Sequence, residues 1–241
     1  MTPNAVVSHR TGTERSINTQ GPTNSVAAND SLFERVAWLY AFCREHMFRD
    51  DTERIISTVW GNEDPEAGTR IIELGCGPGF YSRKLAQRFP QVKLTGVDRS
   101  SSQIRTARAR ASSRSLQNCE FERVNALALA ASDESFDVLI ASRILTVISD
   151  HERAVAEMFR VLKSGGRCFI AEPRHAFWAS IPLTAMWLLA GLIHSGNGYR
   201  EPKKATVLSA EEFTLLFRRF PWKTVRIWQD GRYQYALCEK L

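Results

Sequence analysis

The stretch Ile71-Ile72-Glu73-Leu74-Gly75-Cys76-Gly77-Pro78-Gly79-Phe80 constrains this chain more than any other. It is an apolar run that breaks into glycines at every second position, then resumes as a helical period through Tyr81, Leu85 and Phe89. Glycines let the backbone turn sharply and lie close against a ligand, with helix-terminal amides facing it. The next apolar run, residues 92–97, ends at Asp98. An acid about 20 positions beyond such a loop is placed to accept hydrogen bonds from ribose hydroxyls. Loop and acid together point to a nucleoside-containing cofactor at the carboxyl ends of parallel strands. A nicotinamide cofactor would fit that much, but the spacing here is not the G-x-G-x-x-G of pyrophosphate binders.

From Arg70 onward, short apolar runs alternate with helical periods, as in a parallel sheet covered by helices. Strands are expected at 70–74, 92–97, 119–124, 136–141 and 167–172. Ser149 and Glu152 read as the cap of a helix with Val155, Met158, Phe159 and Leu162 on one stripe, ended by Gly165-Gly166. Ser209 and Glu212 cap another, carrying Phe213, Leu216, Phe217 and Phe220 and stopped by Pro221. The runs 222–228 and 232–238 flank Gln229-Asp230-Gly231, a hairpin signal that brings an antiparallel strand into the sheet. Upstream, the capping pattern Ser31-Leu32-Phe33-Glu34 opens a helix to about Arg49 that is apolar on nearly all sides. Asp50 with Glu53 starts a shorter one. Residues 1–29, rich in Thr, Ser and Asn, are expected to form a disordered tail, and 30–60 to form cap helices.

With 241 residues and 44% hydrophobic composition the chain can bury one full core. Cys43, Cys76, Cys119, Cys168 and Cys238 show neither a disulfide framework nor metal-ligand spacing, so no metal is expected. A reducing, cytoplasmic compartment fits, as does an N-terminus without a basic-then-apolar leader. The net charge of +6 is spread over many segments without interleaved aromatics. A solvated surface accounts for it better than nucleic acid does.

At Glu73-x-Gly75-x-Gly77-x-Gly79, with an acid two positions before the first glycine, the sequence resembles the class I S-adenosylmethionine-dependent methyltransferases. The resemblance runs over 70–172 and extends to the closing hairpin, since a reversed last strand is that family's hallmark. It implies an α/β fold, a Rossmann-like doubly wound seven-stranded sheet within 61–241, interrupted by a helical insertion at about 176–206. It also implies S-adenosylmethionine as cofactor and S-adenosylhomocysteine as product. Glu73, Gly75, Cys76, Gly77 and Gly79 would then hold the methionine part, and Asp98 with its neighbour Arg99 the ribose. Asn125 and Ala126 would lie at the adenine, and Ser142 at the end of the fourth strand.

Beyond that strand, Ala141-Ser142-Arg143-Ile144-Leu145-Thr146 departs from the histidine pair or Asn-Pro-Pro-Tyr-like motif of many small-molecule members. Arg143 can hold a carboxylate or phosphate there, or serve as a surface ion pair. Glu172 and His175 close the fifth strand; His175 can act as general base with Glu172 orienting it or the substrate, or be structural. The apolar segment 176–193 reads as a lid over a hydrophobic or aromatic small-molecule acceptor, with Tyr40, Trp178, Trp187, His194 and Tyr199 as pocket wall. The competing reading is peripheral membrane contact, with Lys203 and Lys204 on anionic head groups and a lipid or quinone acceptor. A non-catalytic cofactor-binding subunit, and either a monomer or a homodimer, also fit the sequence.

Overall fold

The computed structural model describes residues 37–46, 49–175, 184 and 207–241. In chain order the elements are α1 (Ala37–His46), α2 (Thr52–Val59), β1 (Arg70–Leu74), α3 (Phe80–Arg88), β2 (Lys93–Asp98), α4 (Ser101–Ser112) and β3 (Cys119–Arg123). They continue with β4 (Phe136–Ser142), α5 (His151–Val161), β5 (Leu162–Pro173), α6 (Ala210–Arg218), β6 (Trp222–Asp230) and β7 (Tyr233–Lys240). The strands form one seven-stranded sheet in the order β3-β2-β1-β4-β5-β7-β6. β1 to β5 pair in parallel, while β7 runs antiparallel to both β5 and β6. This is the Rossmann-like sheet with a reversed terminal strand that the sequence implies.

Alternation along the strands splits the interior into two layers. Ile72, Leu74, Leu139, Ala141, Cys168 and Ile170 face α5 and α6, packing with Val155, Met158, Phe213 and Phe217. Ile71, Val138, Ile140, Phe169 and Ala171 face the other way, onto Ile55, Val59, Tyr81, Leu85 and Ile104. A sheet covered on both faces suits strands that read as unbroken apolar runs. All five cysteines are free and buried, four in these layers and Cys43 on α1.

Helix starts follow local hydrogen bonding, with some differences from the sequence expectation. Ser209 and Glu212 form the capping box before α6 as expected, each satisfying the other's amide. α5 is capped by Asp150, whose carboxylate accepts from the Arg153 amide, rather than by Ser149. α5 also stops at Val161, because residues from Leu162 onward join β5; Gly165-Gly166 lie inside the strand element and do not end the helix. Asp50 accepts from the Thr52 amide at 2.9 Å, but the N-cap position of α2 is Asp51, which makes no side-chain cap bond. α1 ends at His46, three residues before Arg49. Ser31 and Glu34 lie outside the described residues, as do Trp178, Trp187, His194, Tyr199, Lys203 and Lys204.

Among the described residues no helix is long and apolar enough to cross a membrane, and no cluster of His, Cys, Asp or Glu is arranged to hold a metal.

Candidate functional site

The sheet order reverses between β1 and β4, since β2 and β3 lie to one side of β1 and β4 and β5 to the other. In open α/β sheets ligands bind outside the carboxyl ends of the strands at such a switch point. The glycine loop leaves β1 there. Gly75, Gly77 and Gly79 have φ of 64°, 51° and 71°, a left-handed backbone in which a side chain is strained. Space adds a second reason at Gly79, where a Cβ would come within 2.6 Å of Phe121 Cε1. The loop is pinned by Cys76 N donating to Val97 O at 3.0 Å and by Gly79 N donating to Cys76 O at 2.9 Å. The Cys76 side chain is buried, and burial holds its thiol well above the usual range.

Asp98, the last residue of β2, closes on that loop. Its Oδ2 accepts from Gly77 N and its Oδ1 from Ser100 N, each at 2.9 Å. Arg99 beside it is exposed, with its carbonyl accepting from Arg123 Nε.

Glu73 lies beneath the loop and is buried. Its Oε2 accepts from both the amide and the hydroxyl of Ser82 in α3, at 2.8 and 2.5 Å. Burial pushes its carboxyl up to about 7, against the two Ser82 hydrogen bonds and the charge of Arg44, which pull it down. Across the sheet edge, Ser142 ends β4 and hydrogen-bonds with the buried Tyr81 of α3.

Arg143 follows with φ of 57°, unusual for a residue with a side chain; its amide donates to Ala171 O and its Nη1 to Tyr233 Oη at 3.3 Å. Glu172 is buried near the end of β5, its Oε1 accepting from Leu145 N at 2.9 Å while its Oε2 has no hydrogen-bond partner. Burial raises its carboxyl to about 8 despite the backbone amides facing it. The carboxyl thus holds the loop after β4. His175 is exposed, and no hydrogen bond joins it to Glu172.

On the far side of the loop, Asn125 is exposed after β3, with Oδ1 accepting from Leu127 N in a tight turn; Ala126 beside it is buried. Tyr40 belongs to α1, but its side chain lies outside the described residues.

The structure therefore joins the loop and Asp98 by a hydrogen bond, ties Glu73 to Ser82 of the helix that follows the loop, and places Asn125, Ser142, Arg143 and Glu172 after the ends of the neighbouring strands. Residue types alone did not single out Ser82, Tyr81 or Arg44. Ser82 has no signal beyond its position one turn into the helix. Arg44 had only its place as the first charged residue after the aromatic and aliphatic run 36–43.

Acceptors of this kind suit a ligand bearing both an ammonium and ribose hydroxyls, as the methionine and nucleoside parts of S-adenosylmethionine do. Residues 65–213 match the family described as methyltransferase domain. The trans-aconitate 2-methyltransferase of Variovorax paradoxus is 33% identical over 129 residues, covering 51% of this chain and 48% of that protein. The demethylmenaquinone methyltransferase of Lactococcus lactis is 35% identical over 153 residues, 63% of this chain and 57% of that one. This chain thus spans about half the length of the curated relatives it matches. A methyltransferase structure from Aquifex aeolicus, described as S-adenosylmethionine dependent, superposes with a TM-score of 0.61 at 15% identity, covering 84% of this chain and 96% of that one. Phosphoethanolamine N-methyltransferase 2 of Haemonchus contortus, solved with S-adenosylhomocysteine, gives 0.66 at 12% identity, covering 87% of this chain and 59% of that one. Identities this low show the fold alone. With the family match spanning more than half of its length, the chain belongs to the methyltransferase domain family of class I S-adenosylmethionine-dependent methyltransferases.

Proposed function

We propose that this protein transfers a methyl group from S-adenosylmethionine to the O, N or S of a small hydrophobic or aromatic acceptor. The observation that carries the reading is Asp98 hydrogen-bonded to Gly77, which joins the ribose-binding acid and the glycine loop in one preformed unit at the switch point. When bound, S-adenosylmethionine supplies an activated methyl on a sulfonium, open to in-line displacement. The chain contributes position: Glu73 and the loop hold the methionine part, Asp98 and Arg99 the ribose, and Asn125 and Ala126 the adenine. Because such a displacement gains most from alignment and exclusion of water, an acceptor with a free lone pair needs no base. For an acceptor that must first lose a proton, His175 at the exposed end of β5 is the candidate base, acting without Glu172 as its orienter. Arg143 at the same edge suits a carboxylate or phosphate on the acceptor.

The apolar sequence of residues 176–193 supports a hydrophobic acceptor. The resemblance to a demethylmenaquinone methyltransferase favours, as a second reading, a quinone or lipid acceptor met at a membrane surface. Trans-aconitate, named for another relative, would instead use Arg143. Titration calorimetry with S-adenosylmethionine and with NAD, on the parent protein and Asp98→Ala, tests the central reading. Binding of the sulfonium alone, weakened in the variant, is expected; binding of NAD alone would overturn it. Transfer of labelled methyl to aromatic phenols, demethylmenaquinone and trans-aconitate then ranks the acceptors. Flotation with anionic vesicles separates the membrane reading from the lid.

A further inference from the structure

The loop after β4 lies against the glycine loop, since a Cβ added to Gly75 would come within 3.1 Å of Ile144 Cδ1. Arg143, the residue before Ile144, is thus one position from that contact. Its φ of 57° is a left-handed backbone, costly for a residue with a side chain. Three hydrogen bonds hold it there. The Arg143 amide donates to Ala171 O at 2.9 Å, Thr146 Oγ1 donates to Arg143 O at 2.9 Å, and Arg143 Nη1 donates to Tyr233 Oη at 3.3 Å. Two residues on, the Leu145 amide donates to Glu172 Oε1 and the Leu145 carbonyl meets His151 Nε2, each at 2.9 Å. The loop is therefore fixed from β5, from α5 and from β7.

The charge of Arg143 is felt by Tyr81 of α3, Glu172 of β5 and Cys43 of α1, so the guanidinium stands where those elements and β7 converge on the carboxyl edge. Burial keeps the Glu172 carboxyl protonated at neutral pH, so it does not cancel the neighbouring cation. Tyr233 opens β7 opposite Pro173, the last residue of β5. Both Tyr233 and Arg143 are half-buried, so neither is sealed in the core. A phenol oxygen that accepts from a guanidinium turns its own hydrogen elsewhere, toward a further acceptor. A cation and a hydroxyl side by side present one positive charge and donors from two directions, the complement of the two oxygens of a carboxylate. A phosphate dianion would bring a second negative charge that this pair does not match.

We propose that Arg143 and Tyr233 together bind a carboxylate carried by the acceptor, the guanidinium on one oxygen and the Tyr233 hydroxyl on the other. The proposal rests on the functional reading above and deepens it. The acceptor is then an amphiphile, an apolar or aromatic body bearing one carboxylate, and the closing hairpin supplies part of its selector. Tyr233 lies beyond residues 65–213, the part of the chain that matches the family. Proteins that share the glycine loop can therefore differ in acceptor through the residue that opens β7.

Titration calorimetry on the protein loaded with S-adenosylhomocysteine, using trans-cinnamate and cinnamamide as probes, tests the assignment. The two share ring and side chain and differ in the carboxylate. The parent is expected to bind cinnamate about 10- to 30-fold more tightly than the amide. Tyr233→Phe, which keeps the ring, is expected to lower that preference about 5-fold and Arg143→Met to abolish it, with cinnamamide and S-adenosylhomocysteine affinities within about 2-fold of the parent in both. Unchanged S-adenosylhomocysteine binding reports that the cofactor site is folded. Equal affinity of the parent for the two probes, no binding of cinnamate, or a preference untouched by either substitution would overturn the assignment. If the parent takes up S-adenosylhomocysteine and treats the probes alike, the carboxylate assignment fails while the cofactor reading stands; if it does not take up S-adenosylhomocysteine, both fail.

Discussion

Below about pH 7 the buried Glu73 carboxyl carries a proton, and above it the folded protein must bury a charge. The folded-state value lies above that of an unfolded chain, so the stabilising contribution is fully present below the unfolded value and is lost as pH rises through about 7. Glu172 behaves alike, with its loss complete by about pH 8. Thermal melts of the ligand-free protein are expected to show stability falling between about pH 5 and 8, and Glu73→Gln to flatten the lower part of that fall. Cofactor affinity runs the other way. An ammonium needs the ionised carboxylate, so S-adenosylmethionine binding should strengthen as pH rises through 7 in the parent and stay weak and flat in Glu73→Gln. Asp98→Ala removes an acceptor from the Gly77 amide as well as from the ligand, and should weaken the cofactor about 10- to 100-fold by calorimetry. Gly79→Ala meets the Phe121 ring with φ of 71°, so a urea melt should show a loss of about 2–3 kcal/mol.

At the scale of elements, the capping box of α6 offers a local test. Ser209→Ala frees the Glu212 amide and should cost about 1 kcal/mol in a chemical denaturation melt without altering cofactor binding. That box was legible because its signal is short-range, two side chains three residues apart. So were β1, the glycine loop and the closing hairpin, where backbone demands select residue types. α5 was less legible. Ser149 and Asp150 are equally good caps by type, and it is Asp150 that takes the Arg153 amide. Its end was misplaced for a similar reason: the glycines at 165 and 166 resemble a helix stop, yet pairing of Leu162 with Phe136 draws the chain into β5 first. Glu172 shows the same limit at the site. Its type and position suggested an orienter of His175 or of the substrate; that the Leu145 amide takes one of its oxygens is set by tertiary geometry that no spacing encodes.

For the molecule as a whole, a polar junction centred on the buried Asp51 ties residues 49–54 to the closing hairpin. Asp51, 2% exposed, takes the Tyr235 hydroxyl from β7 and the Arg49 guanidinium, while Asp230 at the hairpin turn takes Arg49 and Arg54. Asp51→Ala leaves Tyr235 Oη without its acceptor and Arg49 and Arg54 with Asp230 alone, and is expected to cost about 2 kcal/mol, against about 1 kcal/mol for Tyr235→Phe, in denaturant melts. Because Arg54 of α2 belongs to this junction, hydrogen exchange of α2 in Asp51→Ala should quicken more than that of the central strands.

The position of β7 bears on how such a chain is made. β7 follows β6 in sequence yet lies between β5 and β6, so β6 has no strand to join until β7 has been synthesised. As the polypeptide emerges from the ribosome, the twelve-residue β5 presents a bare edge of unpaired amides and carbonyls through the synthesis of α6 and β6. The half-made protein is therefore stickier than the finished one, and any stall before Tyr233 leaves a nascent chain that a chaperone, or a second nascent chain, is positioned to capture.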